Sequence, residues 1–210
     1  MNTTQVKIPI AVGAVVAVGL LGCAAYLFEI PPFDKQVAKI EKSAVCESLG
    51  PPSQSVAALK SVLPEASTYA FDDEVTLRVD NQDDGYTSDC FVSGDGKDLM
   101  SARTQMMRAE PAQTWVSGEV EQYGEDSGQL TSFQAGEKGV ASSSLAAVLV
   151  PCASAGNIPG GQYNLSIVVQ LKNAGSSGTN ETRSGLIELA KSAASYAHAK
   201  AKCDMPSTVG

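Results

Sequence analysis

The chain has little of what most enzyme chemistry uses. Among its 210 residues there is one histidine and one tryptophan. A Ser-His-Asp triad would have to use His198, which stands between Ala197 and Ala199 beside Lys200 and Lys202. It reads as a rim histidine favoured by the C-terminal end of a helix dipole. No G-x-S-x-G elbow, no H-E-x-x-H and no phosphate-cradling glycine loop occurs. No two cysteines form a close C-x-x-C pair, the usual spacing of zinc ligands, so no metal or cofactor is expected. Positive charge is also short: the formal net charge is -8. An acidic chain repels phosphate backbones and anionic headgroups, which excludes nucleic acid as a partner and argues against docking on charged lipid.

Charge is missing altogether from residues 8–28, IPIAVGAVVAVGLLGCAAYLF. Such a run spans roughly 31 Å as a helix, the hydrocarbon thickness of a bilayer. Three fates are open to it. It is a single-pass anchor, a lipoprotein leader with Leu20-Leu21-Gly22-Cys23 as lipobox and Cys23 as the lipidated residue, or a leader cleaved after Ala24. The anchor is favoured, because the chain stays apolar through Phe28. Lys35, Lys39 and Lys42 follow the run and only Lys7 precedes it, which by charge bias alone would place the C-terminal part in the cytoplasm. The cysteines outweigh that bias. Cys46, Cys90, Cys152 and Cys203 lie beyond the run, an even number that suits an oxidising space outside the membrane. The expected division is a short cytoplasmic tail over 1–7, the anchor over 8–28 in contact with the lipid bilayer, a juxtamembrane stalk helix over 29–45, an extracytoplasmic α+β domain over 46–205 and a tail over 206–210.

Within the domain, Pro31-Pro32 ends the anchor. Val37, Ile40, Ala44 and Val45 recur at helical spacing, predicting a helix from Asp34 to about Leu49. Gly50-Pro51-Pro52 stops it, and a second helix runs from Ser53 or Ser55 to Pro64. Val75, Leu77 and Val79 alternate with polar residues, predicting a half-buried strand. Asp83-Asp84-Gly85 signals a hairpin, Tyr86 to Val92 the next strand and Gly94-Asp95-Gly96 the next turn. Leu99 to Arg108 fits strand or helix. Ala112 to Val120, around Trp115, reads as a short strand, and Gly124 to Gly128 as a polar loop. Val140 to Val150 is a strand, with Ser142-Ser143-Ser144 on or beside it. Tyr163, Leu165, Ile167, Val169 and Leu171 give another strand one apolar face, and the Gly156–Gly161 loop links the two. A final helix is capped by Asn180, with Glu181 in its first turn and Leu186, Leu189, Ala190, Ala193, Ala197 and Ala201 as a stripe of mostly small residues.

Four cysteines allow three pairings. Cys46 with Cys90 and Cys152 with Cys203 is favoured, since the first ties the early helix to the first hairpin and the second pins the last helix near the strand edge at Pro151-Cys152. The acids read as turn residues: Asp72-Asp73-Glu74, Asp83-Asp84, Asp95, Asp98 and Glu125-Asp126. Asp80 to Gly85 imitates the start of an EF-hand loop, but Phe91 stands where the bidentate glutamate belongs, so a turn is the better reading. Asn164-Leu165-Ser166 and Asn180-Glu181-Thr182 match glycosylation acceptors.

A helix carrying Cys46-x-x-Leu49, a second cysteine in the first hairpin, antiparallel strands and a C-terminal helix together resemble small actinobacterial cell-envelope lipoproteins and secreted proteins. The resemblance covers roughly residues 40 to 205. It implies a PsbP-like two-layer fold, with an antiparallel sheet of five or six strands packed by N- and C-terminal helices. It implies a binding or scaffold role and no catalytic residue. The expected function is a membrane-tethered binding or scaffold protein of the bacterial envelope, not an enzyme, with an envelope protein as partner. The alternative is a carrier holding an apolar small molecule or lipid between the sheet and the last helix. A third reading, an enzyme using carboxylates, needs two acids converging in a cleft.

Overall fold

The computed structural model describes residues 37–123 and 129–210. The anchor segment 8–28, Cys23 and the Gly124–Gly128 loop lie outside the described residues. Among the described residues no helix is long and apolar enough to cross a membrane.

The class is α+β: three helices and one antiparallel sheet of seven strands, more than the five or six expected. In chain order the elements are α1 (Pro52–Val62), β1 (Tyr69–Thr76), β2 (Thr87–Gly94), β3 (Lys97–Arg108), α2 (Ala112–Trp115), β4 (Thr131–Phe133), β5 (Lys138–Ala141), β6 (Leu145–Ile158), β7 (Gly161–Leu171) and α3 (Thr179–Lys200). The strands lie in the order β1-β2-β3-β7-β6-β5-β4. The long β6–β7 hairpin therefore inserts its second strand beside β3, and the sheet has β1 and β4 at its edges.

Both faces of the centre are buried, for different reasons. On one face α1 and α3 cover the sheet. Leu186, Leu189, Ala190, Ala193, Ala194 and Ala197 are at most 2% exposed and share a core with Val148, Val150, Leu165, Ile167 and Val169. Small side chains let α3 lie close to the strands and to α1. At Gly185 a methyl group would collide with Ser61 Oγ and Val62 Cγ1 of α1. Gly50, at φ +90°, likewise lies against Ser192 of α3. On the other face α2 runs on through a π turn over Val116–Val120 and a 3-10 turn over Glu121–Tyr123. This helical stretch 112–123 packs Trp115, Val116 and Val120 on Val140, Leu145, Ala147, Leu149 and Val168. Burial on both faces explains the unbroken apolar run Leu145–Val150. It also buries Asn164 and Ser166, which the period-two pattern alone would leave in solvent.

Several expectations are corrected. The stretch 37–46 is not helical, and only Glu47–Leu49 forms a 3-10 turn. Ile40 and Val45 are buried in the domain, so this part is no stalk helix. The first strand is Tyr69–Thr76 rather than one centred on Leu77. Tyr69 and Phe71 meet the core, while Val75, Leu77 and Val79 are exposed. Residues 112–120 are helical, not extended. The last helix begins two residues earlier, with Gly178 as its cap in place of Asn180. The tail is docked, with Val209 buried and Gly136 N–H donating to Thr208 O.

The disulfides tie these parts together. Cys46 pairs with Cys90 of β2, with Cα atoms 6.0 Å apart, and Cys152 of β6 pairs with Cys203 just past α3, at 4.4 Å. Asp73 of β1 lies directly opposite Cys90 in the ladder. Its carboxylate accepts from the backbone N–H of Glu47 (2.7 Å) and from the Ser48 hydroxyl (2.5 Å). The N-terminal segment is thus held beside the sheet by a covalent bond and a cap on adjacent strands. Replacing Cys46 and Cys90 together by alanine should lower unfolding free energy by about 3 to 4 kcal/mol, the loop-entropy scale for such spacings. Denaturant titration of the full chain reads this, and a loss under about 1 kcal/mol would show that the Asp73 cap and core packing hold the segment without the bond.

Candidate functional site

The residues singled out by sequence fall into structural roles. In the loop Leu77–Tyr86 the Asp80 side chain accepts from Gln82 N–H, and Asp83 accepts from Val79 and Gly85 N–H. Those backbone bonds hold the Asp83 carboxyl below its usual range. Arg78 spans the loop, donating to the carbonyls of Asp83, Asn81 and Ala201. The acids here serve their own backbone. Among the described residues no group of three or more His, Cys, Asp or Glu side chains converges as a metal site.

Asp72-Asp73-Glu74, expected in a turn, lies within β1. Asp95 does sit in the β2–β3 turn, where the hydroxyl and N–H of Ser67 and the N–H of Thr68 bond its carboxylate and depress its pKa. Asp204, beside the second disulfide, is bonded by Ser154 and Asn157 and is depressed for the same reason. His198 Nε2 lies 2.7 Å from Met205 O and fastens the turn after α3. Ser142 Oγ accepts from the N–H groups of Ser144 and Leu145 and shapes the β5–β6 turn. Of the glycosylation acceptors, Asn164 is 1% exposed with its amide donating to Glu137, whereas Asn180 is exposed.

The feature that pattern reading missed is on the sheet face opposite α1 and α3. The helical stretch 112–123 covers that face over β5, β6, β7 and the Met107 end of β3. Beside it a cleft of about 130 Å³ opens over β2, β3 and β7. Antiparallel register builds it. Asp89 stands opposite Arg103, Thr87 opposite Gln105, and Gln105 opposite Ser166. Arg103 Nε is 3.4 Å from an Asp89 carboxylate oxygen, and its guanidinium lies 5.4 Å from the Phe91 ring centre. Glu119 reaches in from the π turn and accepts from Gln105 Nε2 at 3.2 Å and Gln122 Nε2 at 3.3 Å. Tyr123 closes one side and Val168 forms the floor. At the back, Trp115 Nε1 donates to Ser166 Oγ at 2.8 Å in a buried bond. This indole bond is what anchors the helical stretch to the sheet and so sets the cleft's edge. The Asp89–Arg103 pair is half in solvent, so it orients the two side chains more than it stabilises them.

Chemically the cleft offers donors and acceptors of both signs on a rigid floor. That is the make-up of a small polar recognition site. No signal in the sequence joins its parts, because they come from four elements and each looks like a solvated residue alone. Comparison of the chain with protein-family models, with curated proteins and with solved structures finds no match.

Among the described residues two buried side-chain oxygens have no hydrogen-bond partner, Tyr86 Oη and Ser192 Oγ, and Tyr86 is the one that titrates. Tyr86, fully buried, has its phenol oxygen without a hydrogen bond. Burial pushes its pKa up to about 12, against a weaker opposing pull from the Ser88 hydroxyl, which falls short of hydrogen-bond geometry. The unfolded chain ionises this group near the ordinary tyrosine value and the folded chain only near 12. The unfolded state therefore binds fewer protons between those values, and stability falls as pH rises through that window, by about 2 to 3 kcal/mol. Tyr86→Phe removes the orphan hydroxyl. It should leave stability at pH 7 unchanged or about 1 kcal/mol higher, and flatten the loss above pH 10. Unfolding curves taken from pH 7 to 12 check both, and a destabilised variant at pH 7 would mean the hydroxyl has a partner.

Proposed function

We propose that the protein is a non-enzymatic binding or scaffold protein of the bacterial cell envelope. Its N-terminal apolar segment tethers it to the membrane, and the disulfide-bonded domain stands on the extracytoplasmic side. The observation that carries the binding role is the half-covered sheet face: a rigid, polar, concave patch around Arg103 and Glu119, beside a covering stretch fixed by Trp115. Two disulfides support the compartment, since such pairs persist in oxidising spaces. The resemblance to actinobacterial envelope lipoproteins of PsbP-like fold points the same way.

A carrier would need room between the sheet and the last helix. The side chains there are in mutual contact and shielded from solvent, which favours recognition at the surface over storage inside.

Site-specific photo-crosslinking in the producing cells tests this reading. A photoreactive residue in place of exposed Gln105, in the cleft, should give a discrete adduct. One in place of exposed Ser195, on the outer side of α3, should give none. Equal labelling from both positions, or none from either, would remove the cleft face as the binding surface.

A further inference from the structure

We propose that the cleft beside the helical stretch 112–123 takes a primary alkylammonium group, the chemistry of a lysine side chain or a short free amine. This rests on the cleft being the binding face. The charge balance points to a cation. Asp89 and Glu119 place two negative charges in the cleft against one positive charge on Arg103. Arg103 is already engaged, with Asp89 at its Nε and the Phe91 ring under its guanidinium. Glu119 has no cationic partner among the described residues and is met only by the amides of Gln105 and Gln122. A carboxylate or phosphate entering the cleft would meet that unneutralised charge. An ammonium would complete it, donating to Glu119 and to the free lone pairs of Asp89.

Size and floor narrow the class further. About 130 Å³ admits a headgroup with a short stem and no ring system. Val168 below and the Tyr123 ring beside it supply an apolar seat for methylene groups. The overall charge of -8 raises the local concentration of cations and speeds their encounter.

The chain carries its own reporter. Trp115 is the sole tryptophan, so the full chain shows one indole N–H resonance, and that proton is bonded to Ser166 at the back of the cleft. The full chain in detergent is titrated with n-butylammonium chloride, with sodium butyrate and with sodium chloride at matched ionic strength. The expected result is a saturable indole shift with n-butylammonium alone, weakened about fivefold by Glu119→Gln. The unliganded indole resonance of the variant must coincide with that of the parent, which separates lost binding from lost fold; Gln105→Ala serves as second variant if it does not. Nα-acetyl-lysine amide binding at least as well as n-butylammonium assigns the group to a lysine side chain, and tenfold weaker binding assigns it to a free amine. An unchanged half-saturation in both variants overturns the proposal. Saturation by butyrate instead overturns the cation and leaves the cleft as a binding face. No saturable shift with either ion also overturns the cation, and photo-crosslinking from Gln105 then decides separately whether the face binds anything.

Discussion

Everything in the domain is arranged around strands that must be buried on both faces. β6 and β7 carry apolar side chains above and below, so they need a cover on each side. α3 provides one by close approach of its alanines. The stretch 112–123 provides the other through Trp115, whose indole bond to Ser166 leaves no buried donor unpaired at that contact. The second cover is short, and it stops at the middle of the sheet. The polar face of β1, β2 and β3 beside it is therefore open, and the cleft is the step between covered and uncovered sheet. The proposed recognition site is thus the edge of a packing solution.

The disulfides hold what the core reaches least. Cys46–Cys90 fastens a segment with no regular structure to the sheet half that has one open face. Cys152–Cys203 fastens the turn after α3 to β6, where Asp204, His198 and the Cys152 carbonyl add hydrogen bonds. Each bridge joins places where polar caps already set the geometry, so the covalent bond and the caps reinforce the same arrangement. A domain of this size has core enough to fold, and the bridges secure its margins.

Sequence pattern revealed the centre of the fold and little of its periphery. β7 and α3 follow from alternation and helical spacing, and the two cysteine pairs are the favoured one of the three pairings that four thiols allow. The margins were misread where tertiary packing overrides local preference. Val37, Ile40, Ala44 and Val45 have helical spacing, yet the segment is irregular, with a turn over 42–44, because Ile40 and Val45 must enter the core of a chain pinned at Cys46. Val75, Leu77 and Val79 alternate as a strand should, but β1 turns Tyr69 and Phe71 inward and ends as they emerge into solvent. Ala112 to Val120 reads as a short strand, while the sheet face beneath Trp115 is covered by a helical stretch. Arg103, Gln105 and Glu119 each look like a solvated charge or amide alone, and only strand register makes them neighbours.

The account depends on the domain standing in an oxidising space with both bridges closed. Intact-mass analysis of the native protein from the producing cells, alkylated before and after reduction, measures that directly. The account predicts four thiols beyond the N-terminal segment that resist alkylation until reduced, with peptides linking Cys46 to Cys90 and Cys152 to Cys203. Alkylation of these four thiols without reduction would contradict it and return the domain to a reducing compartment.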